Sequence, residues 1–300
     1  MTYHKAVLLK ECIEGLNIKP NGIYVDVTFG GGGHSIEILK HLVDGKLFAF
    51  DRDDDVLENI PNDKNLKLIQ TNYKNIKRFL RSEGVTKVDG ILADLGVSSH
   101  QFDVAERGFS FRFDSELDMR MNKSALLSAR KVVNEYSEED LANLFFKYGE
   151  IRISRKVAEL IVLSREEKEI VTTTDLLEIL DGIVPEKKRN QFLSQVFQSI
   201  RIEVNQEIES LKQMLIDGVE LLNVGGRFVV LSYHSLEDRL VKNLFKRGNL
   251  LGEIKKDFFG NILKQMKEVN RKVVVASEKE QKENNRSRSA KLRVAEKVEC

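Results

Sequence analysis

The chain has 300 residues, of which 41% are hydrophobic and 32% charged, with a formal net charge of +1. Those values describe a globular protein with well-solvated faces and exclude a polycation, so any nucleic-acid contact must come from local basic patches. No apolar run reaches the roughly 18 residues of a membrane span, the first residues have no signal-peptide core, and Cys12 and Cys300 form neither a metal spacing nor a disulfide framework, which together imply a cytoplasmic protein.

In chain order, apolar periodicity predicts a helix over 7–15, a strand over 23–27 and a helix over 35–42. Strands follow over 47–50, 66–69 and 88–92. Alternating strands and helices imply a parallel sheet with crossover helices. From 124 to 200 helix signatures replace strand alternation. Ser137 is a predicted N-cap before Glu138, Glu139 and Asp140. It leads into the stripe Leu141, Leu144, Phe145 and Tyr148, which Gly149 stops and which reads as core rather than as a ligand site. Further helices are predicted over 153–163, over 175–180 behind an N-cap at Thr174, and over 187–200. A helix over 206–222 then meets a Gly225-Gly226 stop before a strand over 227–231. Strands over 273–276 and 292–298 would finish the sheet, and the polar run 277–288 reads as a mobile loop. The chain is therefore an α/β core over 1–105 and 211–300, interrupted by an all-helical insertion over 106–210.

The link after the first strand is Asp26-Val-Thr-Phe-Gly-Gly-Gly-Gly-His34-Ser35. Four consecutive glycines leave backbone N–H groups unshielded, so a ligand can approach the main chain closely. A turn that bound nothing would need only one or two. The second strand ends in Asp51, about 20 positions on, where a carboxylate can accept hydrogen bonds from ribose hydroxyls. Turn and carboxylate together describe a nucleoside-type cofactor site. Neither Gly30-x-Gly32-x-x-Ser35 nor Gly31-x-Gly33-x-x-Ile36 supplies the third glycine of a dinucleotide fingerprint, and no P-loop Gly-Lys-Ser/Thr follows. Asp26 would repel a pyrophosphate but suits a cationic ligand. The local features therefore favour S-adenosylmethionine over NAD.

The fourth strand runs into Asp94-Leu-Gly-Val-Ser98-Ser99-His100-Gln101. In an open parallel sheet, ligands bind beyond the carboxyl ends of the strands, so Asp94 shares a crevice with Gly32 and Asp51. Asp94 and Ser98 are candidates to hold the N–H groups of an amine and to take its proton, and contact with the cofactor is equally open to Asp94. Phe109, Phe111 and Phe113 alternate with polar residues and could stack on an extruded base, or simply cover the cleft. His234, at the end of the strand over 227–231, is a further candidate at the same rim. The segment Arg286-Ser-Arg288-Ser-Ala-Lys291-Leu-Arg293 combines a buried face at Leu292 and Val294 with a basic face suited to phosphate.

These motifs resemble the RsmH (MraW) family, S-adenosylmethionine-dependent methyltransferases of small-subunit ribosomal RNA. The resemblance also rests on His4-Lys-Ala-Val-Leu-Leu, Asp51-Arg-Asp, Arg107-Gly-Phe-Ser-Phe, Leu117-Asp-Met-Arg-Met, Tyr148-Gly-Glu, Phe197-Gln-Ser-Ile-Arg-Ile-Glu-Val-Asn205 and His234-Ser-Leu-Glu-Asp-Arg. It implies a class I, Rossmann-like methyltransferase fold with a helical insertion. It implies N4-methylation of a cytidine in the decoding region of 16S rRNA, with the small ribosomal subunit as partner. By motif, the implied cofactor contacts are Gly32, Gly33, His34, Asp51, Tyr73, Asp94 and Gln101, with Tyr73 near the adenine. Asp94, Ser98 and His234 stay open as proton acceptors. The insertion and the basic C-terminal segment would grip RNA. The chain departs from the family pattern at His100 and Asn285, where proline is expected, and at Tyr233, where phenylalanine is expected.

Overall fold

The computed structural model describes residues 6–270 and 272–299; His4, Lys5 and Cys300 lie outside them. The chain divides into two units, one up to Gly96 and from Ile208 onward, the other Val97–Glu207. The first unit opens with α1 (Leu9–Leu16), β1 (Ile23–Asp26), α2 (Gly33–Lys40), β2 (Lys46–Asp51), β3 (Leu66–Gln70), α3 (Ile76–Ser82) and β4 (Val88–Asp94). The second holds α4 (Ser99–Asp103), α5 (Ala129–Glu135), α6 (Glu138–Gly149), α7 (Ser154–Glu167), α8 (Thr173–Ile179) and α9 (Glu186–Asn205). The chain then returns to the first unit through α10 (Glu207–Leu221), β5 (Leu222–Ser232), α11 (Ser235–Arg247), β6 (Met266–Glu268), α12 (Glu278–Glu283) and β7 (Lys291–Lys297).

The seven strands form one sheet in the order β3-β2-β1-β4-β5-β7-β6. The first five pair in parallel, and β7 runs antiparallel to both β5 and β6. This is the Rossmann-like class I arrangement. Its strands are nearly continuous apolar runs because both faces are covered. Alternate residues serve opposite sides. Val25, Phe48, Phe50, Ile91, Phe228 and Val230 pack with Leu80 of α3 and Leu211, Met214 and Leu215 of α10. Tyr24, Leu47, Leu92, Val229, Leu231 and Leu292 pack with Cys12 and Leu16 of α1 and Ile38 of α2.

The structure corrects four local expectations. Gly225 and Gly226 do not stop before a strand; they lie inside β5, which follows α10 without a loop. There the register against β4 jumps from Val88↔Leu222 to Gly90↔Arg227. Gly225 takes φ +81°, and a side chain at Gly226 would meet the Asn223 carbonyl at 2.9 Å, so the glycines make the bulge possible. Residues 273–276 form no strand: only Val274 bridges to Leu292, and β6, anchored by buried Met266, takes the place beside β7. The polar run after 276 is not a loop throughout, because the Ser277 hydroxyl accepts the Glu280 N–H and starts α12. Finally, α8 is capped by Thr172 rather than Thr174, since Thr172 and Asp175 close a reciprocal capping box.

In the second unit Leu141, Leu144, Phe145 and Tyr148 are buried, so that stripe is core. Three of the sequence motifs interlock here. Asn205, at the end of α9, accepts the Met121 N–H (2.9 Å) and donates to the Met119 carbonyl (2.7 Å). Met119 is fully buried at φ +58°, a conformation that needs such external restraint. Arg107 donates to the Arg120 and Met121 carbonyls, and Gly108 packs so close to the Glu116 carbonyl that no side chain fits. Asn205→Ala leaves buried backbone groups without partners and is expected to destabilise this unit by about 2–4 kcal/mol, measurable by urea unfolding; an unchanged midpoint would show that the knot contributes little.

Candidate active site

Three adjacent parallel strands, β1, β2 and β4, each end in an aspartate: Asp26, Asp51 and Asp94. The parallel register therefore gathers three carboxyl groups at the carboxyl end of the sheet, where the turns after the strands converge. Such a group costs several kcal/mol to take out of water unless donors replace its hydration. The glycine turn supplies part of that replacement. The Gly30 N–H donates to Asp51 Oδ2 (2.8 Å) and the Asp53 N–H to Asp51 Oδ1 (3.0 Å). The Phe29 N–H bonds the Phe50 carbonyl, so the turn is fastened to β2. Gly30 and Gly32 take φ +51° and +76°, which glycine adopts freely. A Cβ on exposed Gly31 would meet nothing within 4 Å. Gly33 begins α2 and faces Ala6.

Asp26 has another role than the one its position suggested. It is 1% exposed. Its Oδ2 accepts the Ser35 hydroxyl (2.7 Å), and its Oδ1 accepts the Thr28 N–H (3.0 Å) and hydroxyl (3.3 Å). The Thr28 hydroxyl oxygen in turn accepts the Asp94 N–H (2.7 Å). Asp26 thus ties the turn, α2 and the end of β4 together, and acts on a ligand only through its field.

Asp94 keeps 24% of its side chain exposed. Its Oδ1 accepts the Tyr233 hydroxyl at 2.6 Å. Its Oδ2 lies 3.7 Å from Nδ1 of buried His34, whose Nε2 faces the Val7 carbonyl at 3.1 Å. Burial raises the proton affinity of Asp26, Asp51 and Asp94. At Asp94, His34 and the Tyr233 hydroxyl oppose that rise without cancelling it. Burial, and then Asp94 itself, push the Tyr233 phenol well up, so Tyr233 stays a donor.

Hydrogen bonds and the shared strand ends bring Gly32, Gly33, His34, Asp51 and Asp94 together. Tyr73 stands three residues beyond Gln70, the β3 partner of Asp51, and packs partly against the core. Ser98 and Gln101 belong to the second unit, where they close a capping box at the start of α4: the Gln101 N–H donates to Ser98 Oγ (3.2 Å) and the Ser98 N–H to Gln101 Oε1 (3.0 Å). His234 precedes α11 with 8% of its side chain exposed and Nε2 3.2 Å from Glu237. In the sequence Tyr233 stands out only as a departure from the family pattern, and nothing assigns a role to Thr28 or Ser35. A hydroxyl two and nine residues after Asp26 was the available signal.

Two other expectations change in detail. The basic face of β7 is largely paired within the chain: Arg293 meets Asp238 at 2.7 Å, with Lys291 at 3.5 Å. Burial opposes ionisation of Asp238, yet Arg293 and Lys291 hold its carboxyl below the ordinary value. Arg288 remains exposed. The alternating phenylalanines lie in irregular backbone and divide: Phe109 is buried, Phe111 packs edge-on to Phe197 at 5.5 Å, and Phe113 is exposed.

Residues 1–298 match the model of the MraW methylase family. The chain belongs to that family. It is 56% identical over 299 residues to the ribosomal RNA small subunit methyltransferase H of Flavobacterium johnsoniae, covering 99% of each chain. Identity to the protein of the same name from Phocaeicola vulgatus is 54% over 296 residues, 98% of this chain and 97% of that one. With the Flavobacterium psychrophilum protein of that name it is 56% over 291 residues, 97% and 100% of the two chains.

Because Tyr233 stabilises the ionised form of Asp94, Tyr233→Phe should raise the carboxyl's proton affinity. If the carboxylate is the working form, the acid limb of the methyl-transfer pH profile moves to higher pH in the variant. A profile that superposes on the parent would separate Asp94 ionisation from the reaction.

Proposed function

We propose that this chain is an S-adenosylmethionine-dependent rRNA methyltransferase that methylates N4 of a cytidine in the decoding region of 16S rRNA, in the small ribosomal subunit. The observation that carries the reading is Asp94, a partly exposed carboxylate at the same carboxyl end of the sheet as Asp51 and the open glycine turn, in a chain of the methylase family. Among the described residues no helix is long and apolar enough to cross a membrane.

The residues suit the cofactor. Gly31 offers backbone approach with open space above it. Asp51 has lone pairs left for a ribose diol after accepting two N–H groups. Three carboxyl groups at one end of the sheet favour a cationic ligand over a pyrophosphate. Gly32, Gly33, His34, Asp51, Tyr73, Asp94 and Gln101 would hold it, with the Tyr73 ring toward the adenine. When bound, S-adenosylmethionine supplies a methyl group on a positively charged sulfur.

The chain's own residues then have to make a poor nucleophile competent. The exocyclic amine of cytosine shares its lone pair with the ring. Asp94 Oδ2, free of the Tyr233 bond, can accept an amine N–H, turn the lone pair out of conjugation and take the proton after transfer. Ser98 and His234 are the alternative acceptors. The target base would be extruded, because its amine is hard to reach within a stack. Transfer is direct. Cys12 is 0% exposed, and burial followed by the field of Asp94 pushes its thiol well up, which opposes thiolate attack on a ring carbon. The helical insertion over 106–210 and exposed Arg288 serve RNA recognition in this reading.

The test is to incubate small subunits lacking the modification with enzyme and labelled S-adenosylmethionine, followed by nucleoside mass spectrometry. N4-methylcytidine formed only with enzyme supports the proposal; a different labelled nucleoside, or none, overturns it. Asp51→Ala is expected to weaken S-adenosylmethionine binding roughly 10- to 100-fold in titration calorimetry while leaving RNA affinity nearly unchanged. Equal cofactor affinity would remove Asp51 from the site.

A further inference from the structure

The connection from α11 to β6 carries a feature that the methyl-transfer site does not use. Residues 257–261 form a tight turn whose tip presents Phe258, 100% exposed, and Phe259, 85% exposed. The turn is held from within. Asp257 Oδ1 accepts the N–H groups of Phe259 (2.9 Å) and Asn261 (2.8 Å), and Oδ2 accepts the Asn261 side-chain amide (3.0 Å). The Asp257 N–H bonds the Asn261 carbonyl (2.9 Å), and the Leu263 N–H bonds the Lys255 carbonyl (2.8 Å). The two rings stand edge to face, 5.8 Å apart at 87°.

A large exposed apolar group on a braced turn asks for a partner. Aromatic rings with two rotatable bonds lose little freedom on contact. The charge around them says which partner. Residues 246–267 contain six basic and two acidic side chains, in a chain whose net charge is only +1. Lys255 and Lys256 are exposed and precede the first ring by three and two residues. Aromatic faces flanked by lysines match unpaired bases on a phosphate backbone, since every base offers a π-face and every nucleotide a charge.

We propose that the Phe258-Phe259 turn, with Lys255 and Lys256, is a second RNA-binding element that stacks on unpaired bases of the small-subunit rRNA, away from the methylated nucleotide. The proposal rests on the rRNA reading above. Topology places it apart from the reaction: β6 runs parallel to β5, so a connection entering β6 arrives at the amino ends of the strands, opposite Asp94. The element therefore anchors a large substrate and leaves the chemical step untouched.

The test compares the full chain with Phe258→Ala/Phe259→Ala, Phe258→Tyr/Phe259→Tyr and Lys255→Gln/Lys256→Gln, on full-length unmethylated 16S rRNA, on small subunits and on a short RNA hairpin carrying the target cytidine. The alanine pair should weaken binding to full-length rRNA about tenfold or more and raise KM with kcat, S-adenosylmethionine affinity and hairpin binding unchanged. The tyrosine pair should restore binding. The glutamine pair should lower the salt dependence of binding by about two ions. Methylation by the parent with equal rRNA affinity in the alanine pair overturns the inference. So does a loss seen with assembled subunits but not with naked rRNA, which would make the partner a protein. Turn-dependent rRNA binding without any methyl transfer upholds the element and fails the proposed reaction instead.

Discussion

The need to satisfy three carboxyl groups at the end of a parallel sheet organises this molecule. Asp26, Asp51 and Asp94 close three neighbouring strands, and none is fully hydrated. Each hydrogen bond to an ionised group is worth about 1.5–3 kcal/mol, so the donors around them are not optional. Gly30 and Asp53 serve Asp51, Thr28 and Ser35 serve Asp26, and Tyr233 serves Asp94. Those donors fix the path of the glycine turn, the start of α2 and the ends of β4 and β5. The negative strand ends that result suit a cationic nucleoside cofactor, and the partly exposed Asp94 keeps Oδ2 clear of its donor Tyr233.

Much of this was legible before the structure. Continuous apolar runs located the five parallel strands because a sheet covered on both faces leaves little room for polar residues. The glycine run and Asp51 pointed to the strand ends where the structure gathers the three carboxyl groups, because the spacing of turn and acid follows from the strand–turn–helix–strand order. What escaped was long-range pairing. Tyr233 lies 139 residues from Asp94, and nothing local announces their contact. The Gly225-Gly226 pair looked like a stop because a bulge and a turn draw on the same residue. The capping of α12 by Ser277 was hidden in a polar run, where charge density outweighed a three-residue cap signal.

The polar surfaces show a similar division between composition and geometry. The basic strand near the C-terminus is suited to phosphate when read alone, but Asp238 occupies much of its charge. The Phe258-Phe259 turn drew no notice in the sequence, because only the braced backbone reveals that both rings point outward. The family motifs at Arg107-Gly108 and around Met119 lock the second unit together with Asn205.

The most direct measurement is the single-turnover rate of methyl transfer by Asp94→Asn, with S-adenosylmethionine and RNA affinities measured in parallel. The account predicts a loss of about a hundredfold or more in rate at saturating cofactor, with RNA affinity within a few-fold of the parent. An unchanged rate at saturating cofactor and RNA would contradict the role of Asp94 as acceptor for the amine.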